Sequence, residues 1–178
     1  MSDDETSLTA AQPQPREESK IILALSTVAR LLLAGTWLYA GGIKISDLGS
    51  SIRSVNAYEL LPTSLAQIVG AALPMVEILL GLLLLAGLLT RPAAILSSIF
   101  LVLFIAGIIS AWARGLDIDC GCFGNGGVLA AGEKPTYFQD ILRDLGLLAA
   151  AVLLTIRPRT WFSLDRLLME TDKGQTQT

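Results

Sequence analysis

Histidine is missing from the chain altogether. Its absence excludes histidine-ligated metal or haem and any catalysis built on an imidazole base. Charge is scarce: Asp, Glu, Lys and Arg make up 16% of the 178 residues, against about 25% in an average soluble domain. The formal net charge is −3, and no basic patch is suited to nucleic acid. Two cysteines are too few for a disulfide framework, so the pair is redox-active, metal-binding or incidental. Residues 1–19 hold few large apolar side chains and lack the positive n-region and short apolar h-region of a secretory leader. We expect them to form a disordered cytoplasmic tail.

What the chain has instead is long apolar runs. Hydrophobic residues make up 52% of it, the mark of a polytopic membrane protein. The expected fold is all-α, a four-transmembrane-helix bundle over residues 20–157, embedded in the lipid bilayer. The spans are expected at about 21–43, 65–89, 93–113 and 137–156. Between the first two, Leu48, Ile52 and Val55 lie at helical spacing, which predicts a short surface helix ended by Pro62. Thr90-Arg91-Pro92 reads as a tight turn, and residues 158–178 as a C-terminal surface segment.

The few charges inside the apolar runs are informative. Arg30, Ala34, Trp37, Gly41 and Lys44 recur at steps of three and four, so they share one face of a helix. Gly70, Pro74, Glu77 and Gly81 do the same in the second run. Arg30 and Glu77 both fall near mid-depth and are natural partners, either as a structural ion pair or as a polar pocket for a ligand or proton path. Arg143 and Asp144 enter the fourth run roughly 9 Å below its start. With Lys44 they are placed to floor the loop above, although Lys44 is equally placed to snorkel outward.

That loop, residues 114–136, carries both cysteines, Cys120 and Cys122, within Asp117-Ile-Asp-Cys-Gly-Cys-Phe-Gly-Asn-Gly-Gly127. Asp119, Gly121, Phe123 and Gly124 flank them as supporting residues. Gly121 gives the backbone freedom a bridge between residues two apart requires. A disulfide in so small a ring is strained, and strained bridges exchange readily. Asp117 and Asp119 oppose thiolate formation, while Arg114, Lys44 or Arg143 would favour it on approach. Three readings stay open: thiol–disulfide exchange, a static disulfide, and metal binding. The last is the weakest, since a closed zinc site wants four ligands, and we assign no metal.

These residues together resemble the MauE (methylamine utilisation protein E) family, within the wider DoxX-like four-helix membrane proteins. The matching positions are Arg30 and Tyr39-Ala-Gly-Gly-Ile-Lys44, then Asn56-Ala-Tyr58, Leu61-Pro62, Pro74, Glu77 and Gly81. Asp119-Cys-Gly-Cys-Phe-Gly124 and Arg143-Asp144 complete the set. The resemblance implies a part in methylamine metabolism, through disulfide formation or transport of a dehydrogenase subunit, and its DoxX side hints at a quinone. No cofactor is certain.

Lys and Arg near span ends number six on the side of both termini (Arg16, Lys20, Arg91, Arg157, Arg159, Arg166). The other side has four (Lys44, Arg53, Arg114, Lys134). That bias predicts a multi-pass cell-membrane protein with both termini cytoplasmic and the cysteine loop extracytoplasmic, where disulfides persist. The leading expectation is a thiol–disulfide oxidoreductase or redox maturation factor. It would act on a thioredoxin-fold protein or a secreted client, with electrons passing to a quinone. A non-enzymatic membrane assembly subunit with a structural disulfide is the alternative. A small-molecule carrier built around Arg30 and Glu77 is third, because four spans without an inverted repeat suit it poorly.

Overall fold

A computed structural model describes residues 15–121, 127–129 and 134–158. Residues 1–14 of the expected 1–19 tail, residues 159–178 of the expected 158–178 segment, and Cys122, Phe123 and Gly124 lie outside the described residues. Among the described residues, five helices and one short strand pair run in the order α1 (Pro15–Ser46), α2 (Leu48–Ala57), α3 (Thr63–Ala86), α4 (Thr90–Ala113), β1 (Ile118–Asp119), β2 (Gly127–Val128) and α5 (Tyr137–Ile156).

Among the described residues, three helical stretches are long and apolar enough to cross a membrane: Lys20–Ser46, Thr63–Ala86 and Thr90–Ala113. The chain is therefore a multi-pass membrane protein, and its outward side chains fit that solvent. Leu32, Ile68, Leu79, Leu103 and Leu142 are all exposed, as lipid-facing residues should be. The helix α5 also forms, but Asp140, Arg143 and Asp144 crowd its first half. It packs against α4 and α1, burying Tyr137, Asp140, Asp144, Ala151 and Leu154 on one stripe.

Two boundaries differ from those read off the sequence. The first helix starts at Pro15, ahead of the expected Ile21, because proline suits the first helical position. The triplet Thr90-Arg91-Pro92 is not a turn but the first turn of α4, where proline lacks only an N–H that would be unpaired anyway. The chain reverses just before it, through left-handed Gly87 (φ 65°) and Leu89 (φ 51°).

Close helix packing rests on glycines. A Cβ on Gly81 would lie 2.6 Å from Leu38 Cγ, and one on Gly41 3.0 Å from the Pro74 carbonyl oxygen. A Cβ on Gly70 would lie 2.6 Å from the Cα of Ile52. Small residues thus bring α3 against α1 at two levels and against α2 at a third. The helix α2 turns Ser51 and Ser54 inward, and Ser51 Oγ donates to the Gly70 carbonyl at 2.7 Å. The main core joins Leu33, Trp37, Leu80, Leu84, Leu101 and Leu154 from four helices. Trp37 Nε1 donates to Ser97 Oγ at 3.0 Å, so the indole N–H is satisfied in an apolar setting.

Candidate functional site

Two polar clusters sit inside this scaffold. The first joins Lys44 of α1 to Glu77 of α3 in an ion pair and hydrogen bond. Both residues are buried, Lys44 6% exposed and Glu77 1%. The ammonium also lies 5.9 Å from the centre of the Phe104 ring, within cation–π range. This corrects the expected Arg30–Glu77 pairing. A Cβ on Gly41 would lie 3.1 Å from Glu77 Cβ, so Glu77 packs at the level of Gly41. Lys44 is one turn further on, whereas Arg30 is eleven residues back, about 16 Å along the axis. Arg30 is itself buried at 2% exposure. Lys44 therefore does not snorkel to the surface; the carboxylate holds it inside.

The second cluster stands on the first two turns of α5. Arg143 Nη1 donates to Asp140 Oδ1 at 2.9 Å, and its Nε donates to Asp144 Oδ1 at 3.0 Å. Asp144 Oδ1 also lies 2.9 Å from Nη2. Thr136 Oγ1 donates to Asp140 Oδ2 at 3.0 Å. Held by two carboxylates, the guanidinium presents Nη2 to Cys120 Sγ at 3.7 Å. Of the three cations considered for the cysteines, Arg143 is the one that reaches Cys120 among the described residues. Lys44 is engaged by Glu77, and Arg114 Nη2 donates to the Tyr58 carbonyl.

Cys120 is placed from several directions at once. Its carbonyl accepts from Tyr58 Oη at 3.1 Å. Gly121 N–H donates to Asp119 Oδ1 at 3.1 Å, and Gly121 takes a left-handed φ of 70°. The preceding β1 pairs antiparallel with β2, Ile118 opposite Val128 and Asp119 opposite Gly127. Leu129 N–H donates to the Asp117 carbonyl at 3.0 Å. From below, Ile118 N–H donates to Tyr137 Oη at 3.1 Å, and that hydroxyl donates to the Leu116 carbonyl. Ile108, Ala111, Ile118, Cys120 and Tyr137 form a second small core. Cys120 is consequently only 8% exposed.

A cavity of ≈ 20 Å³ separates the two clusters, lined by Leu33, Trp37, Leu101, Phe104 and Leu147 with Glu77 and Asp144. Among the described residues, Glu77 Oε2 and Asp144 Oδ2 have no hydrogen-bond partner. The space suits about one water molecule and is too small for a quinone ring.

The family model for methylamine utilisation protein MauE matches residues 22–157. The chain belongs to the MauE family. A curated MauE, the methylamine utilization protein of Paracoccus denitrificans, is 30% identical over 126 residues. That match covers 70% of this chain but 65% of the relative, so the chain spans just under two thirds of the MauE it matches. No solved structure matches.

Three site residues escaped the reading from sequence. Asp140 stands three before Arg143, the spacing that puts an acid and a base on one helix face, and that signal was available. Tyr58 and Tyr137 act through their hydroxyls across long sequence separations; Tyr58 stood among the positions of the family resemblance, but without a role, and no local pattern announces Tyr137.

Proposed function

We propose that this MauE-family chain is a four-span cell-membrane protein that performs thiol–disulfide exchange on an extracytoplasmic partner through Cys120-Gly121-Cys122. The fourth span in this reading is α5, its charges turned into the bundle. Both termini then lie in the cytoplasm, and the partner is a thioredoxin-fold protein or a secreted client. The relative's name gives methylamine utilisation as the setting in which such a client would mature.

One observation carries the reading: Arg143, fixed by Asp140 and Asp144, holds an N–H 3.7 Å from Cys120 Sγ. A guanidinium stays charged at any physiological pH, and a neighbouring cation stabilises a thiolate over a thiol. A cysteine serving only as packing needs no such neighbour. Replacing Cys120 and Cys122 together by serine, then following the thiol state of extracytoplasmic proteins in intact cells, tests this directly. We expect reduced thiols to accumulate in at least one secreted protein. An unchanged disulfide profile would sink the proposal.

The second reading is an assembly subunit whose cysteines staple the loop. It is favoured by the burial of Cys120 and by the Tyr58 anchor on its carbonyl. The double serine variant then loses stability while still co-purifying with its partner.

A further inference from the structure

We propose that the cleft between the end of α4 and the start of α5 binds the ammonium headgroup of a zwitterionic phospholipid. This goes beyond exchange at the cysteines, since neither Cys120 nor Arg143 lines the cleft. The helix α4 ends at Ala113, and Gly115 then takes a left-handed φ of 67°. The N–H groups of Gly115 and Leu116 donate back to the Trp112 and Ala111 carbonyls at 3.0 and 3.1 Å. This turn folds Leu116 and Asp117 back beside Trp112. Opposite them, α5 opens with Tyr137 and Phe138 after Pro135. These six residues line a cleft of ≈ 320 Å³, inside the roughly 300–1,000 Å³ of small-ligand sites.

The lining selects a cation. Asp117 is exposed and brings a carboxylate, which repels anions and attracts positive charge. Trp112 and Phe138 present open rings, at 54% and 69% exposure, and a cation over an aromatic face is attracted by its quadrupole, tryptophan most strongly. The Tyr137 ring lies 6.3 Å from that of Trp112, tilted by 38°. Its hydroxyl is tied to Leu116 and Ile118, so this wall is fixed. Among the described residues no ion pair reaches Asp117. Arg114, three residues before it, directs its guanidinium to the Ser110 and Tyr58 carbonyls.

The position selects a lipid over a free ammonium ion. Trp112 stands at the end of a membrane-length helix, the level at which aromatic side chains meet lipid headgroups. From the cleft, Phe138, Leu142 and Leu145 recur along α5 at steps of four and three, so they share a face. All three are exposed, giving an acyl chain an apolar wall beneath its headgroup. A soluble ammonium ion uses the cleft alone, whereas a phospholipid uses both. A headgroup held there braces the segment from Leu116 to Ile118, directly ahead of Cys120.

Lipid competition on the full chain tests the assignment. The protein is placed in nanodiscs of equal parts dioleoyl phosphatidylethanolamine and dioleoyl phosphatidylglycerol. The lipids that stay bound on release are counted by native mass spectrometry. The two lipids share their acyl chains, and only the first carries an ammonium. We expect it to be retained over the second by about fivefold, the scale of a cation–π contact joined to an exposed carboxylate. Asp117→Asn should remove most of that preference, and Phe138→Leu, which keeps apolar bulk without the ring, should reduce it. Asp47→Asn removes an exposed carboxylate on a different element and should leave it unchanged. Equal retention by the unaltered chain overturns the proposal, as does a preference that neither Asp117→Asn nor Phe138→Leu moves. An equal loss with Asp47→Asn also overturns it, because net charge and not the cleft would then be the cause. Should Asp117→Asn fail to fold, Phe138→Leu decides. In a second arm, millimolar ethanolamine in solution should leave the bound lipid in place. Displacement by ethanolamine assigns the cleft to a soluble ammonium and overturns the lipid as its occupant.

Discussion

The two polar clusters are built from the same parts and do different things. The Lys44–Glu77 pair joins two helices, α1 and α3, and both side chains are sealed, at 7% and 1% exposure. The Arg143 cluster draws both its acids from one helix, and its guanidinium remains 31% exposed. A sealed pair between helices fixes how they pack. A pair along one helix adds little to packing, because its members are neighbours already. What it does instead is aim a cation at a sulfur. The difference teaches that burial of a charge is weaker evidence of chemistry than a charge held in place with a donor directed at a sulfur.

The comparison breaks most easily at Glu77. Glu77→Ala leaves the Lys44 ammonium buried without its counter-ion, a loss of about 3–5 kcal/mol. We expect it as a lower unfolding temperature in detergent and poor accumulation in the membrane. The double change Lys44→Met with Glu77→Leu should recover most of that loss, and failure to recover would show that the pair does more than hold helices together. A smaller effect of purely steric origin is expected at Gly70, whose added methyl would meet the Ile52 backbone at 2.6 Å. Gly70→Ala should cost about 1–3 kcal/mol, read as earlier thermal unfolding. Faster protease cleavage between α2 and α3 is the accompanying sign.

At Arg143 the comparison sharpens instead. Arg143→Lys keeps a cation near Asp144 and should change stability by less than about 1 kcal/mol, the range of partly exposed pairs. Yet lysine lacks the rigid fork that serves two carboxylates and a sulfur together. Reaction of the loop with a small disulfide should therefore slow severalfold in stopped-flow measurements. A large stability loss with unchanged reactivity would invert the roles assigned to the two clusters. The smallest effect is expected at Arg53, whose contact with Asp47 is 3.5 Å long and exposed at both ends. Arg53→Gln should shift the unfolding temperature by no more than an exposed pair is worth, about 0–1 kcal/mol.

Much of this was legible in the chain. Three apolar runs gave membrane-crossing helices because length and lack of charge are direct physical requirements of a bilayer. Spacing alone placed Ala34, Trp37, Gly41 and Lys44 on one buried face, since helical periodicity decides which residues share it. The Arg30–Glu77 partnership failed for a reason of the opposite kind. Depth counted from each run's own start says nothing about how far one helix is shifted along another. That offset is set by where glycines meet bulky neighbours, Gly41 with Pro74 and Gly81 with Leu38. The approach of Arg143 to the cysteine was open in the sequence as one of three options. What selected it was the engagement of Lys44 and Arg114 elsewhere, and such competition is settled only in three dimensions.

Tyr58 has a mechanical consequence. Its hydroxyl donates to the carbonyl of Cys120, and its own carbonyl accepts from Arg114, the residue that caps the end of α4. The tyrosine therefore works as a rivet between the surface helix α2 and the sulfur-bearing turn. Any displacement of α2 would therefore pull directly on the backbone of the cysteine.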